Sequence, residues 1–196
     1  MPFDYRPAFS VETAVSNEQA KTRPLGPEPP LSRLHLRLLA LELAFGAVPA
    51  FVAGRIRTMA MRAAGLKIGK SSLFFGLPTL LGEGRVEDRF RVGTFCGFNA
   101  GSIFDLEDSV TIGDHVAVGH DVMFLTSGSW NAQSGALKRA PIVIENGVWL
   151  GARTVVLPGV TVGESSVIGA GVVVDKDVPA NTLLAGATKV SIAKWR

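Results

Sequence analysis

The sequence predicts an all-β solenoid of short parallel strands, preceded by a helical segment. Three observations carry this. Ile144, Leu150, Val156, Val162, Ile168 and Val174 are all aliphatic and stand six apart. Four positions after each comes a small or β-branched residue: Val148, Thr154, Val160, Ser166, Val172 and Val178. The composition agrees, with 22 glycines, 19% charged residues and 47% hydrophobic ones, which suits a turn-rich β protein and excludes disorder for most of the length.

A period of six has a specific physical reading. A helix repeats every 3.6 residues or so and a lone strand about every 2. Six residues make a short strand plus a tight turn, with the aliphatic and the small residue pointing inward and Gly or Asn relaxing the corner. Three such units close a triangular coil. Stacked coils bury a continuous apolar column and pair their backbones in parallel sheets. An ordinary β-sandwich would not keep this period.

In chain order, residues 1–30 are polar and carry Pro24, Pro27, Pro29 and Pro30, and read as a flexible arm. They lack the cationic start and apolar run of a signal peptide, so a cytoplasmic location is expected. Residues 31–65 are rich in Leu, Ala and Arg and read as helical, with Ser32 a candidate N-cap and a break near Gly46 and Pro49. Leu38 to Gly54 is apolar apart from Glu42, but shorter than the roughly 20 residues of a membrane span. Two readings stay open: a kinked helix pair packed on the main domain or a neighbouring subunit, or peripheral contact with the inner face of a membrane, given Arg33, Arg37, Arg55, Arg57 and Arg62 around it.

Residues 66–186 carry the repeat. Gly follows the aliphatic at Leu150-Gly151, Val162-Gly163 and Ile168-Gly169, and Pro158-Gly159 marks a turn. The same register appears at Ile112-Gly113, Val118-Gly119 and Phe124, with Val116 and Val122 at the second inward position. It is weaker through Val86, Val92-Gly93 and Phe98, and Ile68-Gly69 starts the first coil. Six does not divide the interval from Phe124 to Ile144, so residues 126–140, rich in Ser, Gly, Asn and Gln, are expected to leave the coil as a protruding loop. Residues 187–196 form a C-terminal tail.

Charge and cysteine content exclude several classes. The 20 Lys and Arg against 17 Asp and Glu give a net charge of +3, with no long basic run, so no nucleic-acid partner is expected. A single cysteine, Cys96, excludes a disulfide framework and a multi-cysteine metal site.

The repeat resembles the hexapeptide-repeat acyltransferases, and within them the sugar O-acetyltransferase branch that includes maltose, galactoside and nodulation-factor acetyltransferases. The likeness rests on Pro141 to Ala152, on Val156-Leu157-Pro158-Gly159-Val160-Thr161-Val162-Gly163, on Ser166 to Gly171 and on Asp175-Lys176-Asp177-Val178-Pro179. It covers roughly Leu66 to Lys189. The resemblance implies a left-handed parallel β-helix, a homotrimer, and acetyl-CoA as donor in a groove between neighbouring β-helices. By the same resemblance Ala152, Ala170, Asp175, Lys176 and Lys189 bind the donor. The segment Gly186-Ala187-Thr188-Lys189 lacks the family's proline.

On the acceptor side, transfer to a hydroxyl needs a general base, because a neutral alcohol is a poor nucleophile. The family has a loop histidine where this chain reads Leu125-Thr126-Ser127-Gly128-Ser129-Trp130-Asn131. Of the three histidines, His35 lies in the helical segment and His115 reads as a turn residue. His120, one coil edge before the loop, is the candidate base, since imidazole titrates near neutrality. Asn99 and Asp105 match places where the family has acceptor-binding polar residues; corner hydrogen bonding is the alternative role for both.

The expected activity is therefore acyl transfer from acetyl-CoA to a sugar or glycan hydroxyl, as in polysaccharide biosynthesis. An amino-sugar N-acyltransferase that needs no protein base is the alternative raised by the missing loop histidine, and a non-catalytic scaffold subunit is a further one. A γ-class carbonic anhydrase shares the β-helix, but its three histidine ligands cannot be matched here, and no metal is expected.

Overall fold

The computed structural model describes residues 22–24, 36–130 and 136–186. Its body is a parallel β-helix of five coils with three sheet faces. The first face stacks Lys67–Ile68, Phe90–Val92, Val110–Ile112, Ile142–Ile144 and Thr161–Val162. The second stacks Leu73–Phe74, Gly97–Phe98, Ala117–Val118, Trp149–Leu150 and Val167–Ile168, with Leu183–Leu184 adding a sixth strand. The third stacks Thr79–Leu81, Ile103–Asp105, Met123–Leu125, Val155–Val156 and Val173–Val174.

Pairing keeps the sequence register: Ile112 lies opposite Ile144, Val118 opposite Leu150, and Phe124 opposite Val156. All of these inward residues are buried, as are the second inward positions Val116, Val122, Val148, Val160 and Val172. Each full burial of a Val, Leu, Ile or Phe contributes about 1.5–3 kcal/mol. In the early coils Phe takes the aliphatic's place. Phe74 stacks on Phe98 at 4.2 Å and Phe104 on Phe124 at 4.6 Å, which is why the repeat reads weakly there. Val86 departs from the expected register. It lies in a short helix, Val86–Arg89, inserted between the first and second coils, although its side chain still enters the core.

The corners follow a rule that the sequence reading located differently. At most corners the third residue after the inward aliphatic is left-handed: Phe95, His115, Asp121, Arg153 and Ser165 all have φ between 55° and 59°, and Gly147, Gly159 and Gly171 between 68° and 84°. The glycine directly after the aliphatic serves another purpose. A Cβ on Gly119 would lie 2.5 Å from Ala152 N, and one on Gly151 2.5 Å from Ala170 N. Those glycines let one coil seat on the next.

Ahead of the coils, α1 (Leu36–Phe45) and α2 (Gly54–Ala63) are separated at the expected break, where Gly46 N donates to Glu42 O at 2.7 Å. Ser32 lies outside the described residues. Helix α2 covers the open edge of the first coil. Arg62 donates from Nε to Ile68 O at 3.1 Å and from a terminal nitrogen to Gly69 O at 2.5 Å. Thr58 Oγ1 accepts from Phe74 N at 3.0 Å, and Arg57 donates to Phe75 O at 2.8 Å. Edge carbonyls and amides that would face an unpaired side thus find partners.

The segment after Leu125 leaves the coil as a hairpin, Ser127–Trp130 pairing antiparallel with Ala136–Arg139. A third strand, Thr22–Pro24, joins it through Thr22 opposite Lys138 and Pro24 opposite Ala136. This part of the arm is therefore held against the hairpin, and main-chain pairing is the reason. The rest of residues 1–35 lies outside the described residues, as does the tail from 187.

Candidate functional site

Because successive coils stack in register, residues at equivalent positions form columns along each corner. At the corner after the second face, Phe75 and Asn99 follow the paired residues Phe74 and Phe98. One coil on, Gly119-His120 follows Val118, and Gly151-Ala152 and Gly169-Ala170 follow Leu150 and Ile168. Asn99, His120, Ala152 and Ala170, four of the candidates, thus share one corner.

His120 is exposed in the chain, and its carbonyl oxygen accepts from Arg153 N at 2.7 Å. Its ring meets Phe51, from the linker between α1 and α2, at 5.9 Å between centroids and 52° between planes. Phe51 in turn stacks on Phe75 at 5.4 Å. The small residues below His120 leave its side of the corner open along the column. Beside it, Asp121 and Arg153 form a loose ion pair at 3.8 Å with both side chains largely in water. His115 lies at a different corner, in the left-handed position expected of a turn residue, stacked on Phe95 at 5.2 Å.

The remaining candidates are placed elsewhere. Asp105 ends a strand of the third face, at the corner where the hairpin departs, and its carboxylate is nine-tenths buried. It accepts from Ser127 N at 2.9 Å, Ser127 Oγ at 2.5 Å and Glu107 N at 3.1 Å. Within one chain Asp105 therefore anchors the hairpin and is not joined to His120. Asp175 and Lys176, both exposed, follow Val174 at this same corner. Arg139, at the end of the hairpin, is paired with Glu107 at 2.9 Å, both side chains mostly buried. Lys189 and His35 lie outside the described residues, and so do the side chains of Ser129, Trp130 and Lys138.

Two aromatic residues of this corner escaped the sequence reading. Phe75 sits outward beside the inward Phe74, where the strand alternation leaves room for a polar residue. Phe51 is an aromatic in a linker just after Pro49. An outward Phe next to a core Phe was the available signal.

Among the described residues, no group of three or more His, Cys, Asp or Glu is placed to hold a metal ion. Cys96 is buried, and its thiol is pushed above the usual range, first of all by desolvation.

Residues 141–176 match the family model for the bacterial transferase hexapeptide of six repeats. The chain is 40% identical to the galactoside O-acetyltransferase of Escherichia coli K12 over 96 residues, 47% of this chain and 46% of the relative. The match thus spans less than half the length of that curated protein. Among solved structures, a hexapeptide-repeat containing acetyltransferase from Vibrio cholerae superposes with a TM-score of 0.63 at 30% identity, covering 78% of this chain and 85% of the other. A galactoside acetyltransferase in complex with coenzyme A superposes with a TM-score of 0.66 at 28% identity, over 79% and 76% of the two chains. With the period of six, the stacked coils and the likeness over most of the Vibrio chain, this protein belongs to the hexapeptide-repeat acetyltransferase family.

Proposed function

We propose that the protein transfers an acetyl group from acetyl-CoA to a hydroxyl of a sugar or glycan. The observation that carries this is the corner after the second face, where an exposed imidazole stands in a column of small residues. An extended donor can lie along such a column, since Ala152 and Ala170 let it approach the main chain. The coenzyme A bound by the similar galactoside acetyltransferase supports the choice of donor. His120 takes the proton of the acceptor hydroxyl as its oxygen attacks the thioester carbonyl. The carbon–sulfur bond then breaks, and the proton passes to the departing thiolate, so the imidazole ends as it began. Asn99 hydrogen-bonds acceptor hydroxyls, while Asp175, Lys176 and Lys189 serve the donor, the lysines as cations for its phosphates.

The same reading includes a homotrimer. Ala152 and Ala170 stand at one corner and Asp175 and Lys176 at another, so a second copy is needed to bring both pairs to one groove. The outward rows support it. Ala117, Trp149, Val167 and Leu183 on the second face and Ile103, Met123, Val155 and Val173 on the third are apolar, with Trp149, Val173 and Leu183 more than half exposed. The exposed Leu36, Leu39 and Leu43 of α1 support contact with a membrane surface at the cytoplasmic side, and no described helix is long and apolar enough to cross one.

The test is a panel of hydroxyl and amino sugars with acetyl-CoA, following released thiol, for the wild type and His120→Ala. Acetylation of a hydroxyl sugar is expected, with turnover in the variant lower by roughly two to four orders of magnitude. Donor KM should be nearly unchanged. Acetylation of amino sugars alone, with His120→Ala as active as the wild type, would replace this reading by N-acylation. Donor binding without any transfer would leave a scaffold.

A further inference from the structure

The row Phe75–Phe51–His120 joins the N-terminal linker to the coil, and its construction is costly. Phe51 is a non-glycine residue at φ 67°, and two residues on Ala53 is also left-handed at φ 57°. The linker is held there from beneath. Phe51 N donates to Phe75 O at 2.7 Å. Arg57, 1% exposed, donates to the same Phe75 O at 2.8 Å and to Val48 O and Pro49 O at 3.3 and 3.4 Å, with its Nε buried and lacking a hydrogen-bond partner. A backbone in a sparsely populated conformation and a buried guanidinium both oppose folding. What they achieve is to hold a phenyl ring in place while leaving it 58% exposed to water. Folding alone gains little from that outcome, because an apolar ring gains by being buried.

We infer that Phe51, with Phe75 and His120, forms an aromatic platform on which the pyranose ring of the acceptor stacks. The inference rests on the proposed sugar acetyl transfer and deepens it. A pyranose presents a face of C–H groups and an edge of hydroxyls. The corner offers the matching pair: a phenyl face for the C–H groups, and beside it the imidazole of His120 and the amide of Asn99 for the hydroxyl edge. Stacking the sugar on Phe51 sets a hydroxyl next to the imidazole that the ring already touches, so the platform orients the acceptor for proton removal. The linker thereby becomes part of the acceptor site, and α2, through Arg57, sets its position.

The test compares the full-length wild type with Phe51→Ala, Phe51→Leu and Phe51→Trp, using methyl β-D-galactopyranoside and a panel of other methyl pyranosides. Saturation-transfer NMR reads which sugar protons contact the protein, and steady-state kinetics with acetyl-CoA separates acceptor from donor. Phe51→Ala and Phe51→Leu are expected to raise acceptor KM about tenfold or more and to abolish transfer to the ring C–H protons. Phe51→Trp should retain both, and donor KM should stay within about twofold throughout. Leucine keeps the apolar bulk, so agreement between the Leu and Ala variants assigns the loss to the ring itself. An unchanged acceptor KM in Phe51→Ala, while the wild type acetylates a pyranoside, overturns the platform and leaves the sugar reading intact. A change confined to donor KM also overturns it, placing the donor on these rings. A wild type that neither binds nor acetylates any pyranoside overturns both.

Discussion

His120 and Cys96 show how differently two reactive side chains are treated by the same fold. The imidazole stands outside the coil at a corner, with only its carbonyl engaged by the next coil. The thiol is turned inward among Ser72, Thr94 and Gly113, with its Sγ donating to Gly113 O at 3.1 Å. Burial disfavours the thiolate, and the raised thiol holds its proton more tightly in the folded state than in the unfolded chain. Two outcomes follow from that sign. A water-soluble disulfide reagent at mildly alkaline pH should leave Cys96 unmodified in the native protein and modify it once the chain is unfolded in denaturant. Its contribution to stability is present below the unfolded thiol's range and is lost as pH rises through the folded one. Rapid native modification would place the thiol nearer the surface than the structure does.

At the scale of the coil, two glycines of one corner predict two different costs. A methyl on Gly151 would meet Ala170 at 2.5 Å from its nitrogen and 2.9 Å from its Cα, all main chain. Neither coil can yield alone, so Gly151→Ala should destabilise by about 1–3 kcal/mol or more. Gly171 has φ 72° and nothing within 4 Å of an added Cβ. Gly171→Ala should therefore cost only the left-handed penalty, about 1–2 kcal/mol. Urea unfolding of both variants checks this, with Gly151→Ala expected to be the more costly; a cost no greater than that of Gly171→Ala would mean that the facing main chain yields to the added methyl. The hairpin is held by a different device. Asp105 takes both donors of Ser127 and Thr126 Oγ1 donates to Asp105 O at 2.8 Å, so two residues weld the exit point while Arg139 and Glu107 close the return.

For the whole molecule, the apolar outward rows of two faces set the expectation. Trp149 stands 58% exposed between Ala117 and Val167 on the second face, in a position that solvent alone does not favour. If the proposed trimer forms through these rows, Trp149→Glu should lower the mass in solution from three chains toward one, as read by light scattering after size-exclusion chromatography. The proposed donor groove should be lost with the association, because the residues proposed for it stand on two corners. A wild-type mass of one chain with full acetyltransferase activity would dismiss the shared groove.

The coil register was legible from the amino-acid order because it is a local property. Inward and outward positions alternate within each strand, and Ile144 to Val174 repeat without interruption, so burial could be assigned residue by residue. The break at Gly46 and Pro49 and the turn at Pro158-Gly159 were readable for the same reason. What shares a corner was not. The insertion around Val86–Arg89 and the hairpin after Leu125 shift the count between coils, and the spacing of six does not say which corner follows them. Only the stacked coils decide that Asn99, His120 and Ala152 share a corner while Asp105 turns to Ser127. Phe51 reaches His120 through a strained linker and a buried Arg57, contacts between residues far apart in the chain, and no periodicity encodes such a meeting.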